Sequence, residues 1–263
     1  MILGYMLAVV MGLTLGLIGA GGSILTVPIF VYLLGVKPVM ATGYSLLIVG
    51  SAALMGTARY WQNSMVNLRA AAMFTVPAML TVLATRTYIV PNIPDPIAGI
   101  PKDNILMLLF AVLMILSAMY MLSPAKVKSN ASHRLDVSSA TKLIFGSAGV
   151  GLLTGMVGAG GGFLIIPTLI ALFGLQVKEA IGTSLAIIAI NSLVGFTGDL
   201  SVGIQLDWAL LGAFLALTLL GMWVGTTLAT RMEGAKLKKL FGMFTLLIGI
   251  AVLAKELYTL FNQ

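Results

Sequence analysis

Cysteine is absent from this 263-residue chain, histidine occurs once, and charged residues make up only 9% of it. Without cysteine there are no disulfides and no thiol chemistry. The one histidine, His133, sits in a charged stretch, so a histidine-built metal site inside an apolar core is excluded. No metal, no other cofactor and no catalytic group is expected. A soluble globular chain carries about a quarter charged residues. Long polar stretches are missing too. None exceeds roughly twenty residues, well below the about 50 that a separate soluble domain needs.

What fills the chain is apolar. Hydrophobic residues make up 59%, and the mean hydropathy is +1.08. The class this leaves is an all-α polytopic membrane protein. The net charge of +7 raises nucleic acid as a partner, but the placement of the charges speaks for the lipid bilayer instead. The first apolar segment lacks the basic n-region and the cleavage junction of a secretory signal, so it reads as a retained membrane segment.

Apolar segments run roughly over 2–18, 23–35, 40–58, 70–88 and 104–122, and again over 140–157, 163–174, 180–197, 208–230 and 239–259. A spanning helix needs about 20 residues. Segments 23–35 and 163–174 are too short, covering only about 20 Å at 1.5 Å per residue. Each follows a glycine cluster: GLIGAGGSILTVP from Gly16 to Pro28, and GMVGAGGGFLIIP from Gly155 to Pro167.

The two clusters belong to an internal repeat at an offset of 139 residues. At that offset Gly35 aligns with Gly174, Ala41 with Ala180, Gly43 with Gly182, Ser45 with Ser184, Leu46 with Leu185 and Gly56 with Gly195. The expected organisation is a first repeat over 1–123, a cytoplasmic linker over 124–139 and a second repeat over 140–263. Two such halves are the signature of a transporter.

Charge orients the halves. Residues 59–69 carry Arg59 and Arg69, whereas the equivalent 198–207 carries Asp199 and Asp207. Residues 86–103 are balanced, whereas 231–239 carries Arg231, Lys236, Lys238 and Lys239 against Glu233. A loop that is basic in one half is not basic in its counterpart. Placing 59–69, 123–142, 178–179 and 231–239 in the cytoplasm puts eleven of the fifteen Lys and Arg inside. The repeats are then inverted, each a broken-helix hairpin plus three spanning helices. Both termini lie outside the cytoplasmic (inner) membrane.

The glycine clusters read as bends in membrane-entering hairpins. A bend leaves backbone N–H and C=O groups unpaired, which hydrocarbon does not tolerate unless protein or a polar cavity surrounds them. Two bends arriving from opposite faces meet near the midplane. The short helices that begin there offer free N–H donors and partial positive charge, which suits an anion. Gly12 with Gly16 and Gly221 with Gly225 are spaced G-x-x-x-G and are assigned to helix packing.

The paired G-x-G-A-G-G stretches, each followed by proline and then by A-T-G-Y-S-L (41–46) or A-I-G-T-S-L (180–185), resemble the sulfite exporter TauE/SafE family. Leu206-Asp207-Trp208 resembles the second half of that family as well. The resemblance covers essentially the whole chain. It implies a membrane transporter of sulfur-containing anions: sulfite, organosulfonates such as sulfoacetate, or related oxyanions. Ser23 stands where the second copy has Gly162, so the two bends differ.

The expected anion ligands are backbone N–H groups around Gly21, Gly22 and Ser23 and around Gly160, Gly161 and Gly162. Next come side chains on the helix that follows each break: Ser45, Ser184, Asn191 and, less strongly, Thr183 and Ser192, with hydrogen bonds that tie helices together as the alternative for each of them. Asn191 faces Ala52 in the alignment and so breaks the pseudo-symmetry. Tyr60, Trp61 and Trp208 read as interfacial anchors. Pro77 is expected to kink segment 70–88. Arg59 and Arg231 read chiefly as orienting charges, with attraction of substrate to the inner mouth as the lesser reading.

No Asp, Glu, Lys or His falls in the middle of an expected span, so a titrating side-chain relay is not expected. Alternating access by rocking of the halves is the expected mechanism, with a channel-like pore as the alternative. An enzyme is excluded by the lack of any nucleophile–base pair at membrane depth. The readings left beside a sulfur-anion transporter are a non-transporting membrane assembly or scaffold protein and a transporter of an unrelated small solute. A homo-oligomer is left open.

Overall fold

The computed structural model of the chain describes residues 2–20, 25–26, 29–30, 34–36, 38–89, 92–94, 102–123, 137–157, 162–201 and 207–261. Turns apart they are helical, with no strand among the described residues. The helices are α1 (Ile2–Ile18), α2 (Pro38–Gln62), α3 (Leu68–Ala84), α4 (Lys102–Leu122), α5 (Val137–Val157), α6 (Gly162–Phe173), α7 (Val177–Ser201), α8 (Trp208–Arg231) and α9 (Gly234–Phe261). A π-helical turn, Thr85–Ile89, continues α3. Among the described residues four helices are long and apolar enough to cross a bilayer, within α4, α7, α8 and α9; shorter apolar helices accompany them.

Local chemistry sets the ends. Asn67 caps α3, its Oδ1 accepting from the Ala70 N–H at 3.0 Å. Asp207 caps α8, its Oδ1 accepting from the Ala209 and Leu210 N–H groups at 3.1 Å each. Glycines in left-handed backbone stop the segments after the breaks: Gly174 at φ +63° and Gly35 at φ +67°. Both carry the same six-residue closing bond, Leu175 N–H to Leu169 O at 3.3 Å and Val36 N–H to Phe30 O at 2.9 Å. The repeat therefore copies the cap along with the sequence.

The most extensive interfaces are α1 on α8, α4 on α9, α2 on α7 and α3 on α5. Exchanging the first half for the second turns α1–α8 into α5–α3 and α2–α8 into α7–α3, and leaves α2–α7 and α4–α9 as they are. Detail follows the same exchange. A Cβ added at Gly56 would lie 3.0 Å from Leu185 Cδ1, and one at Gly195 would lie 3.3 Å from Leu46 Cδ1. Each is the counterpart of the other at the 139-residue offset.

Glycine builds the closest contacts. A Cβ on Gly16 would stand 2.8 Å from Met222 O and Thr226 N, and one on Gly12 would meet the Thr218 carbonyl. From the other side, Gly221 faces the Val9 carbonyl and Gly225 the Leu13 carbonyl. The two G-x-x-x-G spacings therefore pack against each other, backbone on backbone.

Pro167 lies inside α6 and has no N–H for the Phe163 carbonyl four residues back. The buried Ser117 hydroxyl of α4 donates to that carbonyl at 2.8 Å. Ser117→Ala leaves the carbonyl orphaned in an apolar setting and is expected to cost about 1–3 kcal/mol, read as a lowered melting temperature of the detergent-purified protein.

Charge is sorted by end. Arg59, Arg69, Lys178, Arg231, Lys236, Lys238 and Lys239 gather where α2 and α8 end and α3, α7 and α9 begin. Two of these lysines close helix ends: Lys178 Nζ donates to Thr230 O at 2.8 Å and Lys238 Nζ to Ser123 O at 2.9 Å. Asp207 lies at the other end of α8, about 36 Å away at 1.5 Å per residue.

Candidate functional site

The first glycine stretch ends α1 deep in the protein. Gly19 adopts φ +74°, and its N–H donates to Leu15 O at 2.7 Å. A helix C-terminus leaves carbonyls without intrahelical partners. Here hydroxyls from elsewhere in the chain supply donors. Tyr60 Oη donates to Gly16 O at 3.3 Å, and Ser184 Oγ donates to Gly19 O at 3.3 Å and to Ile181 O at 2.8 Å. Ser184 and Tyr60 are both fully buried.

The second stretch starts α6 at the same place. A Cβ on Gly162 would lie 2.9 Å from Ala20 Cβ, 3.1 Å from Ala20 Cα and 3.0 Å from Ile188 Cδ1. Ala20 has no exposed surface. The two glycine stretches thus touch each other. Ile188 is the twelfth residue of the 25 in α7, so the meeting point is halfway along the bundle's most enclosed long helix.

Asn191 follows Ile188 by three residues on α7, one turn on and on a neighbouring face. Its Oδ1 is buried with no hydrogen-bond partner among the described residues. The oxygen and nitrogen of an amide exchange places on flipping, so the same position can present an N–H donor. Ser45 and Ser192 are buried. Gly21, Gly22, Ser23, Gly160 and Gly161 lie outside the described residues.

Thr183, next to Ser184, contacts the opposite half. Its Oγ1 accepts from the Asn67 backbone N–H at 2.9 Å, and Glu179 Oε1 accepts from Asn67 Nδ2 at 3.1 Å. At the opposite end Tyr44 Oη accepts from the Asp207 backbone N–H at 2.7 Å. Tyr44 and Thr183 are counterparts at the 139-residue offset, and Asn67 and Asp207 are the N-caps of counterpart helices. The fourth position of A-T-G-Y-S and A-I-G-T-S therefore pins the opposite half's helix, once at each end of the bundle. In the second half the next residue, Ser184, meets the first glycine break at Gly19. Thr183→Val removes the acceptor for the Asn67 amide. About 1.4 kcal/mol of lost protection is expected, seen as hydrogen exchange at that amide about tenfold faster than in the wild type.

One expectation changes, and the lesser reading of Arg59 gains no support. Tyr60 is not an interfacial anchor, because the pairing of α2 with α1 and α7 encloses it, and its ring and the Met65 carbonyl are what a Cβ on Gly182 would strike. Arg59 reaches Thr227 and the half-exposed Trp223 on α8. Trp61 and Trp208 are exposed, as anchors are. The roles of Asn67, Tyr44 and Tyr60 escape sequence reasoning. Asn67 has a readable signal, an N-cap residue just ahead of an apolar helix. A groove of about 320 Å³ beside Tyr120, Gly146, Pro167, Thr168, Ala171 and Leu172 is apolar, and its Thr168 hydroxyl is spent on Leu164 O at 2.7 Å. It offers an anion nothing.

Comparison with known proteins agrees in class. Residues 5–252 match the family model described as sulfite exporter TauE/SafE. A probable membrane transporter protein of Xylella fastidiosa (strain 9a5c) is 29% identical over 249 residues, covering 92% of this chain and 90% of its own length. The probable membrane transporter protein YunE of Bacillus subtilis (strain 168) is 24% identical over 285 residues, covering 97% and 99%. One from Haemophilus influenzae (strain ATCC 51907 / DSM 11121 / KW20 / Rd) is 25% identical over 262 residues, covering 93% and 94%. No solved structure matches the chain.

Proposed function

The chain belongs to the sulfite exporter TauE/SafE family and is a multi-pass membrane transporter, and from that premise we propose that it carries a small sulfur-containing anion held where its two glycine breaks meet. The observation that carries this reading is the contact of Ala20 with Gly162 beside Ile188, with the buried Asn191 Oδ1, unpartnered among the described residues, one turn away. Backbone N–H groups at Gly21, Gly22, Ser23, Gly160, Gly161 and Gly162 supply the donors. The start of α6 adds the partial positive charge of a helix N-terminus. Ser184 and Tyr60 hold the end of α1 open toward that point by satisfying its carbonyls. Thr183 and Tyr44 act at a distance from the anion, by fixing the opposite half.

The exchange of interfaces between halves supports inverted repeats. With the basic end in the cytoplasm, the protein sits in the cytoplasmic membrane with both termini outside. Rocking of one half against the other opens the site to each side in turn. A doubly charged anion leaving an interior-negative cell gains roughly 4–5 kcal/mol at 100 mV, so export runs downhill without a coupling ion.

The test is flux in proteoliposomes with sulfite, thiosulfate, sulfate, sulfoacetate and taurine. Saturable movement of at least one anion, accelerated by a potential that repels it, is expected. A purified, monodisperse protein that moves none of them would be a scaffold or a carrier of another solute.

A further inference from the structure

The exposed side of α8 carries a charge that the transport reading does not use. Its outward residues Leu220, Trp223, Val224 and Leu228 are each about half exposed, as a bilayer-facing strip is. Arg59 of α2 reaches onto this strip. Its Nη1 donates to Thr227 Oγ1 at 3.0 Å, and its Cζ stands 5.1 Å from the centre of the Trp223 ring. Thr227 is fixed in turn by donating to Trp223 O at 2.7 Å. Arg231 lies one turn beyond Thr227, on the same face of α8.

Among the described residues neither arginine has a carboxylate partner. Glu233 pairs with Lys236 at 3.6 Å, and Glu179 is engaged by Asn67. The Arg59 fork donates only through Nη1 among the described residues. Arg59 is three residues from the end of α2, and Thr227 four from the end of α8. The guanidinium therefore lies about one helical turn, some 5 Å, inside the helix ends. That is headgroup depth. A half-buried guanidinium on a lipid-facing surface needs a counter-charge. Its planar fork matches a phosphate, and the Trp223 ring, about two turns inside the end of α8, offers its face to the guanidinium.

We propose that Arg59, Thr227, Trp223 and Arg231 form a site for the phosphate of an anionic phospholipid in the leaflet at the basic end, with the acyl chains lying along Trp223 and Leu220. The lipid bridges the first half, through α2, to the second, through α8. The site does not depend on which solute the protein moves. The membrane itself is the ligand's source, which sets the lipid apart from a soluble phosphate captured at the same fork.

The test uses the full-length protein in neutral detergent. Retained lipid is counted by native mass spectrometry, and the melting temperature is read with added phosphatidylglycerol, phosphatidylcholine or inorganic phosphate. Phosphatidylglycerol should raise the melting temperature and bind, while phosphatidylcholine and inorganic phosphate should not. Arg59→Gln should lower phosphatidylglycerol occupancy about tenfold, the worth of one charge-assisted hydrogen bond to the phosphate. Arg59→Lys, which keeps the charge but loses the fork and the stacking, should fall between. Arg69→Gln, which removes an exposed charge at the same end, should bind as the wild type does. Equal losses in Arg59→Gln and Arg69→Gln would reduce the effect to diffuse surface charge and overturn the proposal. So would wild-type binding in Arg59→Gln, or a full shift with inorganic phosphate alone. If Arg59→Gln does not fold, Arg231→Gln and Thr227→Val decide the question by the same occupancy measurement.

Discussion

Gly162→Val is expected to cut anion flux by about tenfold to a hundredfold while the protein still inserts in the membrane. The new Cβ alone would sit 2.9 Å from Ala20 Cβ and 3.0 Å from Ile188 Cδ1, and valine adds two methyl groups. Ala20 has nowhere to go, since no part of it is exposed. Overpacking of this kind costs about 1–3 kcal/mol. Here the strain is relieved by parting the two glycine stretches, which would disturb the anion site proposed there. The loss should therefore appear in transport more than in yield. Gly149→Val is the matched control, because nothing lies within 4 Å of a Cβ at that position. Equal flux in the Gly162→Val and Gly149→Val proteins would make the contact between the breaks irrelevant to transport.

Gly221→Leu is expected to prevent assembly rather than slow transport. A Cβ there falls on the Val9 carbonyl and lies 2.9 Å from Leu13 N. Both obstacles are backbone of α1, so no rotamer change relieves the clash. α1 and α8 share the most extensive interface among the described residues, and the helices would have to part along most of it. A cost of about 3 kcal/mol or more is expected, enough to exhaust much of the stability of an ordinary domain. The measurement is size-exclusion chromatography of the detergent extract, with aggregate or no protein expected. Gly174→Ala provides the contrast. Its φ of +63° strains an alanine, but nothing lies within 4 Å, so about 1–2 kcal/mol and a folded, monodisperse protein are expected.

The parts of this account that are readable from the chain share a feature: they depend on residues near one another in sequence or on identity between the halves. The helix spans follow from apolar run length, and α1, expected over 2–18, is Ile2–Ile18. The shortness of α6 is visible because Gly174 ends it. The G-x-x-x-G pairs can be assigned to packing because small residues at that spacing do little else in lipid. Tyr60 and Thr183 are not readable. A tyrosine at a helix end and a threonine beside a serine look the same whether they face lipid, substrate or protein. What decides between these is pairing across more than forty residues for Tyr60 and Gly16, and across 116 for Thr183 and Asn67. Arg59 is a third case. Its basic character places it at a membrane surface, but only its contacts with Trp223 and Thr227 put it on the outside of the bundle.

The most direct test places a single thiol where the breaks meet. The chain has no cysteine, and Ser184→Cys is close to isosteric at a fully buried position whose hydroxyl contacts the Gly19 carbonyl. In proteoliposomes the thiol of the Ser184→Cys protein should react with a small membrane-impermeant thiol reagent during turnover. A transported organosulfonate should slow that reaction severalfold, and choline should leave it unchanged. Labelling that proceeds at one rate with and without a transported anion would contradict the placement of the anion at the glycine breaks.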